Sequence, residues 1–110
     1  MAVASYKILG QVAPSATTET TLYTVPTATQ TIVSTIVVAN RSSSDATFRI
    51  SISANGTATA TKDYIAYDLS CGGNGINAFT FGLTADAADV IRVYASSANL
   101  SFSAYGSEIA

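Results

Sequence analysis

The sequence predicts an all-β protein, a single antiparallel β-sandwich of about eight strands, jelly-roll or immunoglobulin-like in topology. Two observations lead to this fold class. Apolar and polar residues alternate with a period of two along most of the chain, as in half-buried strands. Turn-forming residues interrupt this alternation roughly every 8 to 15 residues, and no useful length of helical spacing appears. We expect one domain over residues 1–110, because 110 residues suffice for one core.

The first three strands are predicted from prolines and from β-branched residues. Pro14 and Pro26 flank a short second strand, since proline cannot donate a hydrogen bond inside a ladder. Residues 31–39 are β-branched and rich in apolar residues, which predicts a central strand covered on both faces. The strands before this one are expected at 3–8 and 20–25.

The later strands are predicted from strict alternation. Phe48 and Ile50 have polar neighbours on both sides, and the following segments repeat that pattern. In one of these segments the alternation places Tyr67 on the face opposite Tyr64. The five strands are expected at 47–53, 64–69, 79–84, 90–95 and 100–105.

Two turns carry specific signals. Asn55-Gly56 predicts a type I′ turn, either as a tight hairpin or as the start of a longer loop. The glycine-rich segment 72–75 permits positive φ. Cys71 precedes this segment and has no cationic neighbour in sequence, so we interpret it as a small residue before a turn rather than as a reactive thiolate.

The composition excludes several functions. Charged residues make up 11% of the chain and its formal charge is −2, which gives no electrostatic footprint for nucleic-acid binding. A His-dependent triad is impossible because histidine is absent. One cysteine allows neither an internal disulfide nor a thiolate metal cluster. We therefore predict a protein that is not an enzyme and that has no catalytic, cofactor-binding or metal-binding residues.

The carboxylates were the remaining candidates for chemistry. Asp86 and Asp89 lie in one loop, and Asp63 and Asp68 flank a strand. A glycoside-cleaving pair needs two facing carboxyl groups in a cleft, and a Ca²⁺ site needs six to eight oxygen ligands. We expect catalysis from neither pair, and we interpret Asp86 and Asp89 as turn formers.

The aromatic residues separate into two groups by alternation. Phenylalanines fall on the predicted core faces, at Phe48, Phe79, Phe81 and Phe102. Tyr64, Tyr94 and Tyr105 fall on the opposite faces. Outward tyrosines suit an interface because they bury much area at low entropy cost. A second core layer or a sugar-binding platform remain alternatives.

The scarcity of charge along the strands predicts self-association. Natural sheets guard their free edges with lysine, proline or inward-pointing charges. Here residues 64–84 contain one charged residue, Asp68, and residues 93–107 contain none. Outward positions are mostly Ser, Thr and Ala, which are desolvated at low cost. We expect copies of the chain, or a larger assembly, to cover much of this surface.

The sequence contains no candidate membrane span, because its longest apolar run, 36–39, is far shorter than the roughly 20 residues required. The N-terminal segment 1–7 lacks the continuous apolar run of a secretory signal. We therefore expect synthesis in a cytoplasm and no partnership with membranes.

Six segments of the sequence resemble small virion structural proteins of tailed bacteriophages, of the type found in marine and cyanobacterial phages. The resemblance covers nearly the whole chain and rests on LYTVP (22–26), TIVVANR (35–41), TFRIS (47–51), KDYIAYD (62–68), DVIRVYA (89–95) and 102–108.

This resemblance implies a non-enzymatic component of a phage particle made in the host cytoplasm. The resemblance does not give the place on the particle. We favour a capsid decoration (cement) protein, a homo-oligomer with a trimer favoured, that contacts the major capsid protein, because the chain is small and contains no fibre shaft or coiled-coil repeat. The alternative is a tail, baseplate or fibre-attachment component that contacts tail proteins and binds host glycans.

Overall fold

In the described part of the chain, eight antiparallel strands form two four-stranded sheets that pack face to face. The structure, a computed structural model, describes residues 3–110; Met1 and Ala2, in the segment predicted not to be a secretory signal, lie outside them. The strands are β1 Ala4–Val12, β2 Thr20–Thr24, β3 Gln30–Asn40, β4 Ala46–Ser53, β5 Tyr64–Cys71, β6 Ile76–Ala85, β7 Val90–Ala95 and β8 Leu100–Ile109.

The strand order identifies the topology. Sheet 1 has the order β1-β8-β3-β6, and sheet 2 has the order β2-β7-β4-β5. Each strand therefore pairs with the strand equally distant from the other end of the chain, as in a long hairpin rolled into two layers. This is a jelly roll. The immunoglobulin-like alternative is excluded, because it would place β1 beside β2 in one sheet.

All eight strands occur where the sequence predicts them, and three of them are longer than predicted by three residues or more. β1, β6 and β8 extend past the predicted segments by three or more residues at one end. Their extensions contain glycine or short polar residues, which the apolar pattern does not reveal. They lengthen sheet 1 and give its two edges nine and ten residues.

The expectation that β3 is covered on both faces is wrong. Val33, Ile36 and Val38 are fully buried against sheet 2, whereas Ile32 on the other face is 42% exposed. β3 is central within its ladder, between β8 and β6, yet residues 3–110 form no second layer over its outer side. The apolar outer residues of β3 therefore contribute to the surface of the chain.

The core lies between the sheets and is centred on phenylalanine. Phe48 of β4 is fully buried, and its ring lies 5.9 Å from that of Phe79 and 6.0 Å from that of Phe102. Phe81 stacks on Phe79 with ring centroids 5.5 Å apart. The prediction that all four phenylalanines face the core is confirmed.

The Asn55-Gly56 turn has the predicted conformation but opens a longer loop. Both residues have positive φ, at 55° and 68°, and the N–H of Thr57 donates to the carbonyl oxygen of Ala54 at 3.2 Å, as in a type I′ turn. The chain then continues to β5 at residue 64 instead of returning at once. In the other turn, only Asn74 of segment 72–75 has positive φ.

A line of irregular positions crosses sheet 1. In β1 the register shifts at Leu9, and in β3 it shifts at Ser34. Leu9 lies opposite the step from Tyr105 to Ala104 of β8, and Ser34 lies opposite the step from Tyr105 to Gly106. Bulges bend strands and increase their twist, so sheet 1 bends at the level of Tyr105.

Candidate functional site

The predicted interface tyrosines lie on opposite sides of the molecule. Tyr64 and Tyr94 are half-buried on the outer face of sheet 2, in β5 and β7. Tyr105 is exposed on the outer face of sheet 1, in β8. Two of the three therefore share a face, and the third belongs to a separate surface. Neither surface is a second core layer of this chain.

The outer face of sheet 2 carries a tyrosine–arginine cluster made of Arg49, Tyr64, Tyr67, Asp68 and Tyr94. The Arg49 guanidinium carbon lies 4.3 Å from the ring centroid of Tyr67 and 4.4 Å from that of Tyr94. Its Nε donates to Asp68 Oδ1 at 2.7 Å. A cation is attracted to the face of an aromatic ring, and here the Arg49 guanidinium interacts with both rings. Arg49 therefore holds Tyr67 and Tyr94 in fixed positions.

Tyr67 is the member of this cluster that alternation misplaced. Its ring packs edge-on against Tyr64 with centroids 4.9 Å apart, so the prediction that they occupy opposite faces is wrong. The β4–β5 register shifts twice, and Asp68 has a positive φ of 52°. Such bulges insert residues that reverse the alternation, and the sequence contains no glycine there to signal them.

A shallow groove lies beside the cluster and is lined by Thr59, Ala60, Thr61, Tyr64 and Tyr67. The loop that forms one wall is fixed to sheet 2 by Arg92. The guanidinium of Arg92 donates to the carbonyl oxygens of Gly56 and Thr57 at 3.2 and 2.8 Å, and to Thr59 Oγ1 at 3.1 Å. The groove is therefore preformed.

The outer face of sheet 1 carries an apolar patch made of Tyr6, Ile8, Ile32 and Tyr105. Tyr6 is 88% exposed and Ile8 is 53% exposed. Ile8 pairs with Tyr105 across strands, and Ser107 lies between Tyr6 and Ile32. Sequence reasoning found only Tyr105; the periodicity also assigns Tyr6 and Ile8 to one face, but it does not say that the face lacks a cover.

A partly buried polar cluster joins the two sheets at one end. Lys7 Nζ lies 2.6 Å from Glu108 Oε1, and the Tyr23 hydroxyl donates to Glu108 Oε2. Thr31 Oγ1 lies 2.8 Å from the same hydroxyl. The hydrogen bond from Lys7, and then that from Tyr23, lowers the pKa of Glu108. Burial, and then Glu108, raises the pKa of Tyr23 to about 12.

Stability is expected to fall at both ends of the pH scale. The pKa of Glu108 is lowered, and the pKa of Asp63 is lowered by its hydrogen bond from Lys62 and by that from the Ala60 N–H. A lowered pKa stabilises the fold above the unfolded value, about 4, and this contribution is lost as pH falls. The raised pKa of Tyr23 contributes stability that is fully present below its unfolded pKa of about 10. That stability is lost as the pH rises through about 12.

Urea unfolding at a series of pH values measures this dependence. Between pH 7 and 3 the free energy of unfolding should decrease, and Glu108→Gln should reduce that decrease. An equal decrease in the variant would contradict the assignment to Glu108.

Asp86 and Asp89 accept hydrogen bonds from backbone N–H groups. The two oxygens of Asp89 accept from the N–H groups of Asn55 and Asp86 at 3.0 and 2.9 Å, as expected of turn residues. Cys71 is fully buried at the end of β5, and burial, then Asp45, raises the pKa of its thiol. Within residues 3–110, no three His, Cys, Asp or Glu side chains gather as metal ligands would.

Comparisons with known proteins identify the fold and no family. No family model and no curated protein matches the chain. Among solved structures it resembles a chain from a crystal structure of the T13 IBDV viral particle, with a TM-score of 0.56 and 13% identity. The match covers 98% of this chain and 30% of the other. The likeness therefore concerns the β-sandwich alone.

One further observation concerns membranes. Among the described residues, no helix has the length and apolar content needed to cross a bilayer.

Proposed function

We propose that this chain is a non-enzymatic structural component of a tailed-bacteriophage virion, and specifically a decoration protein of the head shell. The observation that carries the proposal is the apolar patch on the outer face of sheet 1. Tyr6, Ile8 and Ile32 are large apolar residues left exposed in a chain with very few charges. Such patches are typical of surfaces that another protein covers.

Two further observations support a virion role. The jelly roll occurs in viral capsid domains as well as in lectins, and the similar solved chain comes from a viral particle. The sequence resemblance to small phage virion proteins points in the same direction. The partners would be copies of the chain itself and the major capsid protein.

The difference between the two outer faces favours decoration over a tail position. A decoration protein rests on the shell with one side and faces solvent with the other. Sheet 1 presents the apolar patch, whereas sheet 2 presents Arg49, Asp68 and Arg92 among its tyrosines. This asymmetry suits a subunit that is covered on sheet 1 and hydrated on sheet 2.

Quantitative mass spectrometry and labelled electron microscopy of purified particles test the proposal. Hundreds of copies per particle, with label over the head shell, are expected. A few copies with label at the tail would overturn decoration in favour of a tail, baseplate or fibre-attachment role. Absence of the chain from particles would overturn any virion role.

A second candidate function, host-glycan binding, is favoured by the groove beside Tyr67. Tyr67 is 55% exposed, yet Arg49 and Tyr64 fix the position of its ring, so stacking a sugar on the ring would freeze little side-chain motion. Threonines 59 and 61 line the same groove. A glycan array tests this function: binding lost in Tyr67→Ala and kept in Tyr6→Ala would support it, and no binding by the unchanged chain would reject it.

A further inference from the structure

The two sheets differ in how their edges are protected. In sheet 2, edge strand β2 has only five residues and is followed by Pro26, and edge strand β5 is interrupted twice. Short strands, prolines and bulges are common devices against edge pairing. In sheet 1, edge strand β1 runs for nine residues without proline. The regular part of β1, from Ala4 to Ile8, is therefore open to another strand.

The charge on β1 does not guard this edge. Lys7 is the strand's one charged residue, and its ammonium group pairs with Glu108. A lysine that protects an edge projects a free charge at the incoming strand. Here the charge of Lys7 is neutralised by Glu108 of the same chain. No free side-chain charge on β1 therefore opposes an incoming strand.

The apolar patch lies directly beside the open edge. Tyr6 and Ile8 belong to β1 itself, and Tyr105 and Ile32 continue the patch onto β8 and β3. An occupant of this surface must supply both an extended backbone and apolar side chains on the same face. β1 of a second copy has both properties.

We propose that two copies of this chain associate through antiparallel pairing of their β1 strands, around a two-fold axis at Tyr6. This interface joins the two copies of sheet 1 into one eight-stranded sheet. It deepens the self-association that forms part of the proposed function by naming its surface. The axis at Tyr6 is the centre of the regular segment before the shift at Leu9.

The pairing matches the side chains on the outer face. In an antiparallel pair centred on one residue, residues on the same face lie opposite one another. Tyr6 then lies opposite Tyr6 of the partner subunit, and Ala4 lies opposite Ile8 of the partner subunit. Aromatic and apolar cross-strand pairs stabilise sheets. The Lys7 side chains are displaced from the axis, and each remains paired with its own Glu108.

β6, the other edge strand of sheet 1, would be a poorer partner for β1. Outward residues of β6 along its centre are small or polar, namely Ala78, Thr80, Gly82 and Thr84. Tyr6 would find no large apolar partner there. Pairing β1 with β6 of another copy would also be head-to-tail and form a ring or a filament, whereas β1 with β1 closes as a dimer.

Sedimentation equilibrium of the purified chain tests the interface. The unchanged chain is expected at twice its monomer mass of 11.3 kDa. Tyr6→Lys places two like charges opposite each other at the axis and should raise the dissociation constant about 100-fold or more. Because Tyr6 is exposed in the single chain, the circular dichroism spectrum and melting temperature of the monomer should be retained.

The matched control is Ile76→Lys, on the other edge strand of the same sheet. Ile76 is also a large, exposed apolar residue, and this variant should remain dimeric. Hydrogen exchange gives a second readout: amide protection in Ala4–Ile8 should increase with protein concentration, and protection in β6 should not.

Several outcomes would overturn the interface. A monomer at concentrations up to about 1 mM, a trimer as the phage resemblance implies, or a dimer disrupted by Ile76→Lys and not by Tyr6→Lys would each do so. A chain that is monomeric in solution but abundant on particles would overturn this interface and leave the proposed function intact. A chain that forms this dimer in solution but is absent from particles would leave the interface intact and overturn the proposed function.

Discussion

Replacing Phe48 with alanine is expected to lower the free energy of unfolding by about 3–5 kcal/mol. Phe48 of β4 is fully buried, and its ring contacts those of Phe79 and Phe102 from sheet 1. The substitution removes apolar contact area and leaves a cavity that both sheets line. Since small domains are stable by only about 5–15 kcal/mol, the variant should lose a large part of its stability.

Urea denaturation followed by circular dichroism measures the loss. Phe81→Ala is the matched control, because it deletes the same atoms from a ring that is only partly buried at edge strand β6. We expect a smaller loss there, in proportion to the area buried. Equal losses for the two variants would contradict the assignment of Phe48 as the centre of the core.

Gly106→Ala is expected to cost about 3 kcal/mol, at the upper end of the range for overpacking. A Cβ atom at position 106 would overlap the backbone carbonyl oxygen of Ile32 and lie 3.1 Å from the Ser34 nitrogen. These are backbone atoms of the neighbouring strand, so rotation of a side chain cannot relieve the overlap. β3 and β8 would have to separate where sheet 1 bends.

Gly72→Ala is the control for this substitution. The nearest atom to a Cβ at position 72 is Asp45 Oδ1, 4.0 Å away, so the change should alter stability by less than about 0.5 kcal/mol. Thermal and urea unfolding of both variants give the comparison. If Gly106→Ala were as stable as the unchanged protein, the close approach of β3 to β8 would be wrong.

The strands were predictable because one face of each packs on a core. Phe48 and Ile50 lie two residues apart, as do Leu100 and Phe102, and turn residues bound both segments. This spacing is a signal that is local in sequence. The choice between jelly roll and immunoglobulin-like order was not predictable, because it depends on pairings such as β1 with β8 that join distant segments. Alternation also failed at Tyr67, where bulges without a glycine signal change the register.

The candidate surfaces were only partly predictable for a related reason. Alternation correctly assigned Tyr64, Tyr94 and Tyr105 to outer faces, and their role as interface residues remains a prediction. It could not show that Tyr64 and Tyr94 share a surface from which Tyr105 is absent. It also treated 31–39 as covered on both sides, since periodicity does not distinguish apolar residues under a second layer from the exposed Ile32.

The nested pairing of the strands has a consequence for the order of folding. The entropy cost of closing a loop grows with its length, and β4 with β5 encloses the shortest segment, followed by β3 with β6 and β2 with β7. β1 must wait for β8, the strand farthest from it along the chain. A newly made chain therefore keeps β1 unpaired until the last strand has been synthesised. During that interval, the strand with the fewest edge guards is also the most available to neighbouring chains.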